Sequence, residues 1–314
     1  MSVYTPLTLT EIQNFARQYG LSVVACQPIQ GGIENSNYFV QTANNQDYVL
    51  TLFEELDFAE ASFLAPLLQH LHQANVPVAA PITADNGDYL LKLKDKAAQL
   101  APRMTGEHLQ SVTMSQAETM GRHLAQMHLA LRQYPLKRAN AHGETWWQKE
   151  AAKARSGMSK VEQLLLDTVL DDYAESCADF DDLPKGLIHG DLFRDNTLFE
   201  GDKLSAILDF SEAGRDYWLL DVAITINDFC SDWPNVTLNE ELYQAFLLGY
   251  QHVRPLTDDE QFVLPTFLTM AATRFWLSRL SVAKRNQAEG RSGEHVLEKD
   301  PQEMQRMVMA RLAM

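Results

Sequence analysis

The sequence predicts an α+β protein of two parts, a small N-terminal region built on an antiparallel sheet and a larger, mostly helical C-terminal region. Short apolar or alternating segments separated by turn residues fill residues 1–101, whereas long segments with helical periodicity dominate residues 102–314. A chain of 314 residues with 46% hydrophobic residues is long enough to bury a normal core. We therefore expect two folded regions that meet near residues 100–103.

The N-terminal region is predicted to begin with a helix at residues 8–19. Thr8 followed by Glu11 fits a capping box, and Gly20 ends the helix. A second helix is predicted at residues 57–74 from its apolar face. Strands are predicted at residues 21–29, 37–41, 48–53, 81–84 and 88–94.

The C-terminal region is predicted to be helical with a small hairpin inside it. Helical periodicity covers residues 115–132, 145–156, 160–179, 217–230, 238–251 and 258–283. Short apolar segments predict strands at residues 186–189, 197–199 and 204–208.

Charge and cysteine content exclude several classes of function. The net charge is −16, and no run of Lys and Arg forms a basic patch, so we expect no nucleic-acid or membrane partner. The three scattered cysteines form no CxxC pair, which argues against a disulfide framework or a zinc site. The first residues lack the features of a signal peptide, and we expect a cytoplasmic protein.

One segment carries the pattern of a phosphoryl-transfer site. His189, Asp191 and Asn196 match H-x-D-x-x-x-x-N, the catalytic-loop pattern of kinases, and Asp209 ends a strand thirteen residues later. A carboxylate beside the acceptor hydroxyl orients it and takes its proton, which is the role predicted for Asp191. Asn196 and Asp209 offer the oxygen ligands that Mg²⁺ prefers. His189 is predicted to support the loop backbone.

On these motifs the chain resembles the aminoglycoside phosphotransferase and choline kinase superfamily, which shares the two-lobed protein-kinase fold. Within that superfamily, the segments Gly31–Tyr38, Tyr48–Leu52 and Arg274–Arg279 are similar to those of bacterial homoserine kinases. The resemblance implies an enzyme that uses ATP and Mg²⁺ to phosphorylate the hydroxyl of L-homoserine, a step of threonine biosynthesis. It implies a nucleotide-binding N-terminal lobe at residues 1–101 and a lobe carrying the acceptor site at residues 102–314.

The resemblance also implies which residues contact the nucleotide. A phosphate-covering loop is expected between the first two strands, and Thr51 stands where protein kinases have a lysine. A hydroxyl cannot replace an ammonium group, so another cation must help to hold the phosphates. The residues predicted to bind the nucleotide are Gly31, Gly32, Asn35, Ser36, Asn37 and Thr51.

Recognition of an amino-acid acceptor needs a cation for its carboxylate and an acid for its ammonium group. Arg274 is the candidate for the carboxylate, with a surface salt bridge as its alternative role. Asp195 is a candidate for the ammonium group, with Asp228 and Asp232 as further candidates. Asp221 either braces the catalytic loop or is an ordinary acidic residue at a helix N-terminus. Four helical histidines are predicted to lie on helix surfaces rather than in a metal site: His70, His72, His123 and His128.

Two other functions stay open on the sequence alone. One is a kinase for a different small amine or alcohol, such as choline, hydroxylysine or an aminoglycoside. The other is a kinase-like protein that binds nucleotide without catalysis, which the missing lysine at Thr51 favours. The complete set of Asp191, Asn196 and Asp209 argues against the second. The oligomeric state and the choice between ATP and GTP do not follow from the sequence.

Overall fold

The fold consists of two compact units. The first unit contains residues 1–106 and Ser205–Ser211, and the second contains Glu107–Leu204 and Glu212–Met314. A computed structural model of the chain describes residues 5–29, 35–180, 182–288 and 299–314.

A segment from the second half of the chain returns to the first unit. Ile207 forms a parallel β-bridge with Val78, and its amide donates to the carbonyl of Pro77 at 2.7 Å. Because of this pairing the first unit is discontinuous in sequence. The sequence-based division into residues 1–101 and 102–314 assigned this returning segment to the C-terminal region. The compact units divide after Gly106, and the segment belongs to the first unit.

The first unit is built on a five-stranded antiparallel sheet with the strand order β1-β2-β3-β5-β4. Its strands are β1 (Val23–Pro28), β2 (Asn35–Thr42), β3 (Asp47–Phe53), β4 (Leu91–Leu93) and β5 (Lys96–Pro102). Side chains alternate between the two faces of a strand, so Tyr38, Leu50 and Leu100 lie on one face, where they belong to a buried core.

Helix α1 (Leu9–Ala16) contributes Ile12 and Phe15 to that core. The predicted capping box is confirmed, because the Thr8 hydroxyl accepts from the Glu11 amide and the Glu11 carboxylate accepts from the Thr8 amide at 2.7 Å. The predicted end is also confirmed, since the last turn is a 3₁₀ turn closed by Gly20 at φ +67°.

Two predicted elements of this unit differ in the structure. The helix expected at residues 57–74 is two helices, α2 (Phe58–Ala61) and α3 (Leu64–Gln73). The strand expected at residues 81–84 is wrong. Ile82 and Ala84 each donate one backbone hydrogen bond, to Leu100 and Asp88, and these isolated bonds do not make a ladder.

The second unit is mainly helical, as predicted. Its helices are α4 (Met114–Leu131), α5 (Glu144–Ala154), α6 (Lys160–Asp179), α7 (Trp218–Phe229), α8 (Glu240–Val253), α9 (Asp258–Ala288) and α10 (Pro301–Leu312), of which α10 was not predicted. Its short strands are β6 (Lys185–Ile188), β7 (Thr197–Glu200), β9 (Gly214–Tyr217), β10 (Ser231–Asp232) and β11 (Thr237–Leu238). Strand β8 (Lys203–Ile207) follows β7 and runs into the returning segment.

Helices α4 and α8 cross at backbone contact through two glycines. A Cβ atom on Gly121 would lie 2.1 Å from the carbonyl oxygen of Phe246, and one on Gly249 would lie 1.9 Å from that of Glu118. Neither position has room for a larger side chain, so the close crossing depends on glycine at both.

Helix α7 is the centre of the second unit, since every one of its residues is buried. Two of these residues are the carboxylates Asp221 and Asp228. Buried carboxylates require hydrogen-bond donors, so their partners identify places where the interior has been built around charge.

Across the described ranges, we find no helix with the length and apolar character needed to cross a bilayer.

Candidate active site

The predicted catalytic loop joins β6 to β7 in the second unit. The amide of Asp191 donates to Nδ1 of His189 at 3.3 Å, so His189 supports the loop backbone as predicted. The side-chain amide of Asn196 donates to the carbonyl oxygen of Asp191 at 2.8 Å and to its carboxylate Oδ2 at 3.1 Å. The Asp191 side chain is 35% exposed, which leaves the carboxylate accessible to a small molecule.

Asp221 of α7 holds the start of the loop. Its Oδ2 accepts from the amide of His189 at 2.8 Å, and its Oδ1 accepts from the amide of Gly190 at 2.9 Å. Gly190 has φ +81°, a backbone conformation that favours glycine. Of the two alternatives for Asp221, the structure supports the brace of the catalytic loop.

Arg274 on α9 lies beside the predicted base. Its Nη1 is 3.8 Å from Oδ1 of Asp191, and its Nη2 is 3.5 Å from Oε2 of Glu212. The guanidinium also covers the ring of Phe275, with Cζ 4.0 Å from the ring centroid. Arg274 is buried, with a side chain only 5% exposed, so its charge is shared between two carboxylates of the protein.

Glu212 was not found by sequence reasoning. Its carboxylate contacts Nδ1 of His142 as well as Arg274. Burial acts to raise the pKa of Glu212, but the hydrogen bond to His142 and the charges of His142 and Arg274 hold that pKa below its ordinary value. Its position three residues after Asp209 carries no pattern that distinguishes it from the other acidic residues of the chain.

Asp209, the second predicted metal ligand, belongs to the returning segment of the first unit. It has φ +55°, and its Oδ1 accepts from the hydroxyl of Ser211 at 2.6 Å and from the amide of Ser211 at 3.3 Å. These bonds fix the carboxylate on a turn directly after β8.

The residues predicted to bind the nucleotide lie partly on one face of the first unit's sheet. Asn37 pairs with Thr51, and Thr51 pairs with Gln99, so three uncharged polar residues form a row across β2, β3 and β5. Gln99 is buried, and its Oε1 has no hydrogen-bond partner within the described structure. Asn35 is half-buried and pairs with Phe53. Gly31 and Gly32 lie outside the described residues.

Ser36 is placed differently from its neighbours. Its side chain is fully buried, and its hydroxyl accepts from the Thr5 amide at 3.2 Å and donates to Glu54. Glu54 also forms an ion pair with Lys96. Because side chains alternate along a strand, Ser36 faces away from Asn35 and Asn37. We therefore revise the prediction for Ser36, whose hydroxyl is committed to this buried cluster.

A cavity of about 370 Å³ opens beside the catalytic loop in the second unit. Three carboxylates and three cationic side chains line it: Asp195, Asp228, Glu303, Arg194, Arg279 and Lys299. Phe193 and Trp233 supply aromatic walls. The cavity is therefore polar, of both signs, and large enough for a small amino acid.

The charges in this cavity form three ion pairs of different exposure. Arg194 pairs with the buried Asp228 at 3.0 Å, and both side chains are less than a fifth exposed. Arg279 pairs with Glu303 at 2.6 Å. Lys299 pairs with Asp195 at 3.1 Å, and these two side chains are 56% and 61% exposed. The Lys299–Asp195 pair is thus the one that a charged ligand can most easily separate.

One histidine prediction is wrong. His128 was expected on a helix surface, but its side chain is completely buried and bonded through both ring nitrogens. Its position in the sequence, five residues after His123, gave no indication of this burial, because α4 packs against other helices on more than one side.

The comparison with known proteins identifies the family. Residues 25–258 match the phosphotransferase enzyme family, and the chain belongs to it. A protein of Ralstonia pickettii (strain 12J) named homoserine kinase is 39% identical over 292 residues, covering 89% of this chain and 87% of its own. Homoserine kinase of Methylobacillus flagellatus is 36% identical and covers 100% of this chain and 96% of its own. That of Neisseria meningitidis serogroup B is 36% identical and covers 99% of both.

Solved structures confirm the predicted two-lobed kinase-like fold. A microcompartment-associated aminopropanol kinase matches with a TM-score of 0.71 over 97% of this chain and 94% of its own, at 18% identity. An amicoumacin kinase in complex with AMP-PNP, Ca²⁺ and Ami matches with a TM-score of 0.69 over 98% of this chain and 92% of its own, also at 18% identity. At this level of identity the likeness concerns the fold alone.

Proposed function

We propose that this chain is a cytoplasmic homoserine kinase that transfers the γ-phosphoryl group of ATP to the hydroxyl of L-homoserine. The products are ADP and O-phospho-L-homoserine, which is used for threonine synthesis. The observation that carries this proposal is the catalytic loop, in which the partly exposed Asp191 carboxylate is held by Asn196 and flanked by Arg274. The relatives named homoserine kinase, which match over nearly the full length, supply the acceptor.

Asp191 acts as the base in this reaction. The hydroxyl oxygen of homoserine forms the new bond to the γ-phosphorus, the bond from that phosphorus to the β,γ-bridging oxygen breaks, and ADP leaves with the electron pair. The proton of the hydroxyl passes to the Asp191 carboxylate. The hydrogen bond from Asn196 fixes the direction of that carboxylate, so that the acceptor is aimed before the reaction starts.

The oxygen ligands proposed for Mg²⁺ are those of Asn196 and Asp209. The side-chain nitrogen of Asn196 donates to Asp191, so its amide oxygen is the atom available to a metal. Asp209 offers a carboxylate fixed by Ser211. Oxygen ligands of this kind suit Mg²⁺, which neutralises charge on the ATP phosphates when it is bound. The support for pairing these two residues is the sequence pattern.

The cavity beside the loop is proposed to hold the amino-acid end of homoserine. Its three cations and three carboxylates balance, which suits a zwitterion better than the polycations that antibiotic kinases recognise. The exposed Lys299–Asp195 pair would open so that the substrate ammonium lies on Asp195 and the substrate carboxylate on Lys299. Asp195 thereby keeps the role expected from the sequence.

Arg274 is assigned a different role from the one expected. The two carboxylates Asp191 and Glu212 already outweigh the single positive charge of Arg274, so the local charge disfavours a third carboxylate. We propose that Arg274 orients the Asp191 carboxylate, and that Lys299 takes over the recognition of the substrate carboxylate.

The nucleotide is proposed to contact the polar row of the first unit. Asn37 and Thr51 are neutral donors and acceptors, and the buried Oε1 of Gln99 is an acceptor for an amino group such as that of adenine.

An assay of ADP release with several acceptors tests the proposal. Purified protein with ATP and Mg²⁺ would be given L-homoserine, choline, hydroxylysine and kanamycin in separate reactions. We expect the highest kcat/KM with L-homoserine. A higher value with choline, hydroxylysine or kanamycin would assign the enzyme to another acceptor. The absence of ADP release with all four would favour a protein that binds nucleotide without catalysis.

A further inference from the structure

A row of buried, hydrogen-bonded side chains connects the C-terminal helices to the catalytic loop. His128 of α4 is completely buried. Its Nδ1 lies 2.8 Å from the hydroxyl of Tyr250, and its Nε2 lies 3.1 Å from Oδ2 of Asp221. The imidazole also stacks on Trp218, with ring centroids 5.4 Å apart and an interplanar angle of 3°. The ring is therefore fixed both in its plane and in its rotation.

The row continues through α8 to α9. Nη1 of Arg254 donates to the hydroxyl oxygen of Tyr250 at 3.1 Å. Nη2 of Arg254 lies 2.8 Å from both carboxylate oxygens of Glu260, and the Arg254 side chain is 9% exposed and that of Glu260 0%. A buried ion pair of this kind is costly to break, so it gives the row a rigid end.

The donor and the acceptor of each hydrogen bond in this network follow from Asp221, the acceptor at the end next to the catalytic loop. Asp221 already accepts the amides of His189 and Gly190. As a carboxylate it can only accept, so Nε2 of His128 carries the proton and donates to it. Nδ1 of a neutral imidazole is then an acceptor, and it takes the hydroxyl proton of Tyr250. The Tyr250 oxygen in turn accepts from Arg254.

The electrostatics of the two central groups agree with this order. Burial lowers the pKa of His128, which keeps the imidazole neutral. Burial by itself raises the pKa of Asp221, but the hydrogen bonds from His128 and from the amide of Gly190 hold that pKa below its ordinary value. A protonated imidazole would donate from both nitrogens and leave the Tyr250 hydroxyl proton without its acceptor.

We propose that His128 is a positioning residue of the kinase reaction, which fixes the Asp221 carboxylate and through it the backbone amides that precede Asp191. Tyr250 shares this role, because its hydroxyl donates to Nδ1 and so supports the tautomer in which Nε2 donates to Asp221. The proposal rests on Asp191 being the base, as argued above. A residue needed only to fill the core could be apolar, whereas this one makes two directional hydrogen bonds at a fully buried position.

Activity measurements on His128→Leu, His128→Gln and Tyr250→Phe test the proposal. We expect His128→Leu to lower kcat, per folded molecule, by about 10- to 100-fold, since small displacements of a catalytic group cost this much. The KM for ATP should stay close to that of the wild type. His128→Gln can donate an amide N–H toward Asp221 and should recover part of the loss. The kcat of Tyr250→Phe should fall less than that of His128→Leu, because Nε2 of His128 keeps its hydrogen bond to Asp221.

His123→Leu is the matched control. His123 lies on the same helix, and its Nδ1 contacts the Thr119 carbonyl of that helix rather than the loop. Loss of this imidazole should change stability without lowering kcat. A fall in kcat equal to that of His128→Leu would mean that any polar deletion in α4 damages the enzyme, and it would overturn the proposal.

Hydrogen exchange supplies a readout that does not depend on the reaction. The amides of His189 and Gly190 should exchange faster in His128→Leu than in the wild type, while the amide of Leu187 in β6 keeps its protection. If His128→Leu does not fold, Tyr250→Phe and His128→Gln carry the same test. Wild-type kcat together with wild-type exchange in the folded variants would contradict the proposal. Faster exchange in a protein that phosphorylates no acceptor would keep the brace and reject the kinase assignment instead.

Discussion

Nη1 of Arg274 lies 3.8 Å from Oδ1 of Asp191, and the arginine is buried while the aspartate is about one-third exposed. The same guanidinium reaches Glu212 at 3.5 Å. The carboxylate that we propose as the base thus lies beside a cation that solvent barely reaches. Arg274 therefore has two candidate roles, recognition of the substrate carboxylate and orientation of the Asp191 carboxylate.

Arg274→Ala separates these roles. If Arg274 serves Asp191, its loss should lower kcat for L-homoserine and for 3-aminopropanol, a poor acceptor without a carboxylate, by similar factors. Small displacements of a catalytic group cost up to about 100-fold in rate, so a fall of about 10- to 100-fold is expected. The KM for ATP should barely change. Loss of activity with L-homoserine alone would instead support the carboxylate role expected from the sequence.

Asp195→Asn should weaken the acceptor and leave the nucleotide unaffected. The amide keeps the shape of the side chain but removes the charge that we assign to the substrate ammonium group. We expect KM for L-homoserine to rise by about tenfold, as for the loss of one charged hydrogen bond, with KM for ATP unchanged. Asp88→Asn is a suitable control, since Asp88 is exposed and bonds to Asn86 in the first unit. Equal effects of the two substitutions would remove Asp195 from the acceptor site.

Asp209→Ala should abolish the dependence of ATP binding on Mg²⁺. Asn196→Ala should weaken that dependence less, because a neutral amide gives the metal less charge than a carboxylate does. Calorimetric titration with ATP in the presence and absence of Mg²⁺ measures both. An Asp209→Ala protein that still binds ATP more tightly with Mg²⁺, to the same extent as the wild type, would exclude Asp209 as a ligand.

Gly121→Ala should destabilise the second unit. The added Cβ would lie 2.1 Å from the carbonyl oxygen of Phe246, so α4 and α8 must move apart. Overpacking of this kind costs about 1–3 kcal/mol or more, which exceeds the gain of about 1 kcal/mol that alanine brings to a helix. Gly157→Ala is the control, because nothing lies within 4 Å of its added Cβ. Urea unfolding followed by circular dichroism should give a lower midpoint for Gly121→Ala than for Gly157→Ala. Equal midpoints for the two variants would contradict the close crossing of α4 and α8.

Secondary-structure elements were predicted correctly where neighbouring residues alone determine them. The capping box of Thr8 and Glu11, the end of α1 at Gly20 and the bounds of α6 depend on neighbours within a few residues. The return of Ser205–Ser211 to the first unit was not predicted, because it depends on contacts with residues far away in the chain. Helix α10 was also not predicted, although Asp300 at the N-cap and Pro301 in the first turn are local start signals.

The candidate site followed the same division. Asp191 and Asn196 could be found because they lie only five positions apart in the chain, and their hydrogen bond is a property of one loop. Lys299 and Glu212 reach the site from other parts of the sequence, and no spacing relates them to the loop. The burial of His128 was missed because the sequence of α4 does not show which of its faces other helices cover in the folded protein.

The most direct measurement of the central claim is the identification of the product formed by the wild type and by Asp191→Asn. Each protein would be incubated with ATP, Mg²⁺ and L-homoserine, and the products followed by ³¹P NMR. We expect the wild type to convert the γ-phosphate of ATP into O-phospho-L-homoserine in step with ADP formation. Asp191→Asn should bind ATP normally and form the same product about 10²- to 10⁴-fold more slowly. Turnover of Asp191→Asn within about threefold of the wild type, or wild-type ADP formation that yields inorganic phosphate alone, would contradict the account.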